Sequence, residues 1–171
     1  IEGNPTDNFT KIVLEVLPNQ VTLVPDAPSA ITSNSGWDTK VNKDYLKNVV
    51  SVFKSAGIRT SIFVDPNPEM VRYAAETGTD RVELYTEPYA EQYCKNREKA
   101  IAPFVEAAEV ARGLGIGINA GHDLNLDNLK YFIETIPWVL EVSIGHALIA
   151  DALYLGLENT IQMYLRLARA V

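Results

Sequence analysis

Leu114-Gly115-Ile116-Gly117-Ile118-Asn119-Ala120-Gly121-His122 leads into an amphipathic segment from Leu126 to Thr135, and this in turn into Leu140-Glu141-Val142-Ser143-Ile144-Gly145-His146. The outer pieces read as short apolar strands, Gly115 to Ala120 and Leu140 to Ile144, and the middle piece as a helix. Strand, helix, strand in this order is a crossover unit, because parallel strands cannot be joined by a tight hairpin. Moving towards the N-terminus, the rhythm repeats. A long helix covers roughly Ala90 to Leu114, preceded by a strand at Arg81 to Tyr85, a helix at Pro68 to Thr77 and a strand at Arg59 to Val64. Before these stand a helix from about Asn42 to Ala56, a polar loop from Pro25 to Thr39 and a strand at Val21-Thr22-Leu23-Val24. A helix from Pro5 to Leu17 carries Phe9, Ile12, Val13 and Val16 at helical spacing, and Ile1-Glu2-Gly3 reads as the tail of a strand. Towards the C-terminus, Ala147 to Ala150 reads as a short helix and a long one follows Leu153.

Six β-then-α units in a row predict an α/β fold with a parallel sheet and crossover helices. No Gly-rich G-x-G-x-x-G turn follows the early strands, which argues against a doubly wound dinucleotide fold. Ala56-Gly57, Thr77-Gly78 and Leu114-Gly115 form a recurring hinge before a strand, a regularity that suits a repeated βα ring. No linker or low-complexity segment divides the chain, so 1–171 is read as a single TIM-barrel domain. A (β/α)₈ barrel typically takes about 250 residues and eight strands. The count here is six with the first cut short, so the expectation is a barrel lacking its first two βα units in this chain. The missing strands would leave open sheet edges.

The chain has 171 residues, 47% hydrophobic and 22% charged, with a formal net charge of −7. A net-acidic surface argues against nucleic acid or an anionic membrane as the main partner. It leaves small phosphates open, since backbone amides at helix N-termini bind anions locally. Cys94 is the one cysteine. It excludes an intrachain disulfide and fits a reducing, cytoplasmic setting. No apolar run reaches the length of a membrane span, and no secretory leader opens the sequence.

Gly121-His122 and Gly145-His146 end two successive strands, 24 residues apart. That is one βα unit, so the tips should be neighbours. Barrel phosphate sites commonly use the loops after the last two strands together with a short helix N-terminus. The plainer alternative is that the glycines turn the chain and the histidines cap strands. Glu83 alternates with Val82 and Leu84, so it should point away from the helices, into the barrel. A carboxylate there is catalytic or sits in a buried ion pair, for instance with Arg81. Glu2 poses the same question at the first strand, against the reading of an ordinary first-turn acid. The Pro25–Thr39 loop is long for a βα connection and is either a lid over a ligand or a surface loop. Asp65, Asp123 and Asp151 read as helix caps. Two histidines without clustered carboxylates or thiols make a weak metal site, so no metal is expected. The aromatics Tyr85, Tyr89 and Tyr93 read as packing.

Taken together, Val21-Thr22-Leu23-Val24-Pro25-Asp26, Thr32 through Asp38, Gly57 to Asp65, Val82-Glu83-Leu84-Tyr85-Thr86 and the two Gly-His tips resemble pyridoxine 5′-phosphate synthase, collinearly over essentially the whole chain. The stretch Ile31 to Asp38 is similar to the form found in one bacterial branch of that family. The resemblance implies condensation of 3-amino-2-oxopropyl phosphate with 1-deoxy-D-xylulose 5-phosphate, closing a pyridine ring and releasing phosphate and water, without organic cofactor or metal. It implies Glu2 as a general base, His122 as a proton donor, and Glu83 as a stabiliser of charged intermediates. Thr32 would contact the deoxyxylulose phosphate, Asp123 would stand at a second contact where many relatives have Gly, and Gly145 and His146 would hold the aminoketone phosphate. It also implies an octamer built from dimers. The family's first two strands carry an Asn phosphate contact, a catalytic His and binding Arg residues. A protein of only these 171 residues is therefore expected to be inactive or nearly so. Two other readings compete: a different sugar-phosphate barrel enzyme, and a ligand-binding but inactive barrel fragment. A Schiff-base aldolase would need a Lys at a strand end, and the predicted strands have none.

Overall fold

The computed structural model describes residues 1–26, 30 and 32–169. Ala27, Pro28, Ser29 and Ile31, within the expected Pro25–Thr39 loop, lie outside the described residues, as do the last two residues of the chain. The elements in order are β1 (Glu2–Gly3), α1 (Asp7–Val16), β2 (Gln20–Leu23), α2 (Lys43–Ser55), β3 (Arg59–Val64), α3 (Pro68–Glu76), β4 (Arg81–Tyr85), α4 (Glu87–Gly113), β5 (Gly117–Gly121), α5 (Leu129–Thr135), β6 (Val139–Ser143), α6 (His146–Leu155) and α7 (Leu157–Ala168).

Among the described residues the strands form one parallel six-stranded sheet in sequence order, β1 to β6. Their register sorts the side chains into two faces. Leu23, Ile62, Val82 and Ile118 are paired across β2 to β5, and with Val64, Leu84 and Ala120 they are buried against the helices. Phe53, Leu46, Tyr89, Phe104 and Phe132 meet them from the helix side, all essentially fully buried. Burial of each such large apolar side chain is worth about 1.5–3 kcal/mol, which makes this layer the main source of cohesion. The opposite face carries Glu2, Thr22, Ser61 and Arg81 in one set of paired positions and Phe63, Glu83, Asn119 and Glu141 in the next.

That second face is concave. Gln20 Nε2 on β2 donates to Glu141 Oε1 on β6 at 3.0 Å, although three strands stand between them. In a flat sheet four strand spacings would separate them by roughly 19 Å, at about 4.8 Å each. The sheet is therefore rolled into a parallel half-barrel, with a polar interior and helices outside.

Left-handed glycines end α2, α3 and α4: Gly57, Gly78 and Gly115 have φ of 77°, 82° and 73°. These are the three hinges read from the sequence, and each delivers the chain to the next strand within a few residues. Two helices differ from expectation. The helix read as continuous from Ala90 to Leu114 starts at Glu87 and breaks at Asn96 (φ −163°, ψ 94°), whose side chain accepts from the Lys99 amide at 2.9 Å and starts the helix afresh. The short helix read at Ala147–Ala150 is the ten-residue α6, separated from α7 by Gly156 (φ 80°, ψ 142°). No helix among the described residues is long and apolar enough to cross a membrane.

Candidate active site

The C-terminal ends of the strands open onto a cavity of about 180 Å³ lined by Glu2, Thr32, Ser33, Phe63, Glu83, His122, Asp123, Leu124, Ser143, Gly145, His146 and Ala147. All seven residues singled out by sequence face this one space: Glu2 from β1, Glu83 from β4, His122 and Asp123 after β5, Gly145 and His146 at the start of α6, and Thr32 from the loop after β2.

Glu83 is the buried acid of the set, 4% exposed. Alternation along β4 turns it inwards, between the outward Val82 and Leu84. Its Oε2 accepts from the Thr22 hydroxyl at 3.3 Å. Arg81 does not pair with it: the guanidinium donates instead to Asn119 Oδ1 at 2.9 Å and Glu141 Oε2 at 3.1 Å. Burial and the nearby Glu2 carboxylate push Glu83 up to about 8, against a smaller downward pull from Thr22. At neutral pH it is mainly a protonated, neutral acid. Gly121 makes room for it, because a Cβ at that position would lie 2.2 Å from Glu83 Oε1. Glu2 sits on the more open side of the sheet. Partial desolvation and Asp26 raise its carboxyl pKa, opposed by His122.

His122 reaches the cavity from a strained tip. Its φ is 88° and that of Asp123 is 60°, the left-handed region in which a non-glycine residue costs about 1 kcal/mol or more. Asp and Asn tolerate that region better than most residues, which is how an aspartate can stand at 123. The ring is held from two sides. Thr32 Oγ1 lies 3.0 Å from Nε2, and Tyr85 meets the ring edge-on with centroids 5.0 Å apart. Asp123 Oδ2 is 3.1 Å from Nδ1 but out of line for a hydrogen bond. Gly145 and His146 begin α6, and nothing stands within 4 Å of where a Gly145 Cβ would project. With Ala147 they line the cavity, so the first turn of α6, where helix amides lack partners within the helix, borders the space a ligand would fill.

The loop after β2 is anchored at its far end. The Gly36 amide donates to Asp65 Oδ1 at 3.1 Å, Trp37 Nε1 to the Leu23 carbonyl at 3.0 Å, and the Trp37 amide to the Phe63 carbonyl at 2.9 Å. Ser33 Oγ donates to Asp26 Oδ2 at 2.5 Å. Asp65 is thus a loop anchor, Asp123 a neighbour of the imidazole, and Asp151 an acceptor for the Tyr164 hydroxyl at 2.8 Å; none is the helix cap expected. Ser33, from the loop expected to supply hydroxyls, lines the cavity, and Thr22 and Ser143 join the site without having been named by the sequence reading. Both share strand parity with the inward set, Thr22 between Val21 and Leu23 and Ser143 between Val142 and Ile144, and are recognisable from alternation alone. Among the described residues no group of three or more His, Cys, Asp or Glu side chains is placed to hold a metal ion.

A family model described as pyridoxal phosphate biosynthesis protein PdxJ matches residues 1–170. The chain is 70% identical over 164 residues to a pyridoxine 5′-phosphate synthase of Bacteroides thetaiotaomicron, covering 96% of this chain and 69% of that protein. It is 60% identical over 169 residues to the protein of the same name from Christiangramia forsetii, covering 99% and 71%. Among solved structures it is similar to an HMG-CoA lyase from Brucella melitensis (TM-score 0.56, 15% identity, 97% of this chain and 63% of that one). It is also similar to a chain in the BexX/CysO complex of Amycolatopsis orientalis (TM-score 0.59, 14% identity, 92% and 59%). At such identity these two likenesses bear on fold alone.

Proposed function

The chain belongs to the PdxJ family of pyridoxal phosphate biosynthesis proteins, and from that premise we propose that it acts as a pyridoxine 5′-phosphate synthase, condensing 3-amino-2-oxopropyl phosphate with 1-deoxy-D-xylulose 5-phosphate in the cytoplasm. The six strands are then an arc of a (β/α)₈ barrel, in a protein that assembles with further copies of itself. The observation that carries the reading is the convergence of the Glu2 and Glu83 carboxyls, the His122 imidazole and the N-terminus of α6 on one cavity.

Pyridine ring closure needs repeated proton transfers around an imine, so acids and bases of different strength must share one site. Glu2 is the base: its raised carboxyl pKa brings it nearer to neutrality while leaving it able to take a proton. His122 gives protons to leaving oxygens at the cavity floor. Glu83, neutral when its proton is held, adds no second negative charge beside Glu2 and offers an O–H to an oxygen on which charge develops. The amides of Gly145 and His146 receive one phosphate at the N-terminus of α6. Thr32 and the backbone at Asp123 contact the other, with the Asp123 carboxylate turned towards the imidazole and away from the anion.

Steady-state synthesis of pyridoxine 5′-phosphate, with calorimetric titration of each phosphate substrate, tests this for a parent protein with the whole eight-stranded barrel and for its Glu2→Gln and His122→Asn variants. The expected result is that both variants still bind the substrates but lose on the order of 10²–10⁴-fold in kcat. Parent-like turnover in both variants would remove them from the chemistry. Failure of the parent to bind either phosphate would remove the proposal altogether.

A further inference from the structure

We propose that Thr86 is a positioning residue that holds the His122 imidazole in the cavity; the proposal rests on the reading of His122 as proton donor given above. Thr86 stands at the N-cap of α4, where a threonine side chain ordinarily accepts from the helix's own first amides. Thr6 does so at α1, accepting from the Phe9 amide at 3.3 Å. Thr86 makes no such bond. It is fully buried, and its hydroxyl is turned sideways onto the next strand, to the carbonyl of Gly121 at 2.8 Å and to that of His122. Its amide donates to the same Gly121 carbonyl at 2.9 Å. The peptide chain enters its left-handed conformation at His122 and Asp123, so Thr86 grips the carbonyls on either side of the point where the backbone turns.

A second buried side chain completes the grip. Asn128 Nδ2 donates to the Asp123 carbonyl at 3.2 Å, and the Asn128 carbonyl accepts from the Tyr89 hydroxyl at 2.7 Å. Three successive carbonyls, those of Gly121, His122 and Asp123, are thereby fixed from α4 and from the start of α5. A residue in the left-handed region persists there only when its surroundings over-determine it. Relaxing φ of His122 would swing its Cα–Cβ bond and carry the ring away from Thr32 and Tyr85. Thr86 touches neither the cavity nor any reacting atom, so its influence runs through the placement of His122.

The test compares Thr86→Val, which keeps shape and loses the hydroxyl, with Thr86→Ser, which keeps the hydroxyl, in the intact protein. The readouts are kcat and the imidazole nitrogen and carbon-bound proton resonances of His122, identified by their loss in His122→Asn. The expected result for Thr86→Val is a kcat lowered on the order of 10- to 100-fold with shifted His122 resonances and unshifted His146 resonances. Thr86→Ser should restore both. Parent-like His122 resonances in Thr86→Val, or a serine variant as impaired as the valine one, would overturn the proposal. Thr86→Ala gives the same comparison where the valine variant does not fold. If His122→Asn retains full turnover, the catalytic reading of His122 fails, while the resonance shift in Thr86→Val still reports whether Thr86 positions the ring.

Discussion

A carboxyl group that is 4% exposed, receives one hydroxyl hydrogen bond and has no ion-pair partner among the described residues keeps its proton well above the ordinary glutamate range; Glu83 is in that position. The consequence for stability has a definite sign. Between about 4.5 and about 8 the folded protein holds a proton on Glu83 that the unfolded chain has released. The contribution of this group is therefore fully present below the lower value and is lost as pH rises through the upper one. Urea denaturation at pH 5 and at pH 8.5 should show the parent losing stability relative to Glu83→Gln by on the order of 4 kcal/mol at most. Equal pH dependence in the two proteins would mean that Glu83 is ionised at neutrality. The inward direction of Glu83 was legible in the sequence, because Val82 and Leu84 flank it. Its partner was not. Arg81 shares a face with it, but two residues along a strand lie roughly 6.6 Å apart, and Arg81 reaches sideways to Asn119 and Glu141 instead. The Thr22 hydroxyl, the space made by Gly121 and the grip of Thr86 all depend on contacts between strands, which one-dimensional spacing does not contain.

At the scale of elements, β3 and β4 run over the same residues that alternation and β-branched composition predict, Arg59–Val64 and Arg81–Tyr85. α4 starts three residues before the expected Ala90, because Pro88 sits in its first turn, where a proline is well suited. The break at Asn96 was hidden because helical periodicity continues on both sides of it. Only the turned side chain that restarts the helix reveals the break. Gly156 was masked in the same way by the leucines around it. The hinges were legible, since Gly is the residue that enters the left-handed region freely. Gly78 and Gly113 separate the two meanings of a glycine near a helix end. Neither has anything within 4 Å of a would-be Cβ, but Gly78 has φ 82° and Gly113 is an ordinary helical residue. Gly78→Ala should destabilise by about 1 kcal/mol and Gly113→Ala should stabilise by up to about 1 kcal/mol, measured as opposite shifts of the thermal midpoint. Midpoints moving the same way would mean that the left-handed backbone at Gly78 does not set the cost of its substitution.

For the molecule as a whole, what matters is how the curl of the sheet is held at the end away from the cavity. Glu141 on β6 accepts from Gln20 of β2 at 3.0 Å and from Arg81 of β4 at 3.1 Å, with Arg59 of β3 at 3.7 Å. One carboxylate thus ties the last strand to three others across the concave face. Arg81 is the more deeply seated cation, its side chain 15% exposed, and without Glu141 its remaining side-chain hydrogen bond among the described residues would be the one to Asn119. Exposed ion pairs are worth little, as for Lys11 with Glu15 at 3.9 Å on the open face of α1, where the side chains are 73% and 65% exposed. The network at Glu141 differs because its members are shared and partly withdrawn from water. Glu141→Gln should therefore cost about 1–2 kcal/mol, against no more than about 0.3 kcal/mol for Glu15→Gln. Because Glu141 is itself partly exposed, its cost should shrink as ionic strength rises to about 1 M, where charges are screened within roughly 3 Å. Paired urea titrations at low and high salt measure both differences. A Glu141→Gln protein as stable as Glu15→Gln at low salt would show that hydrogen bonding between adjacent strands and the helix packing hold the curl without help from the charges inside it.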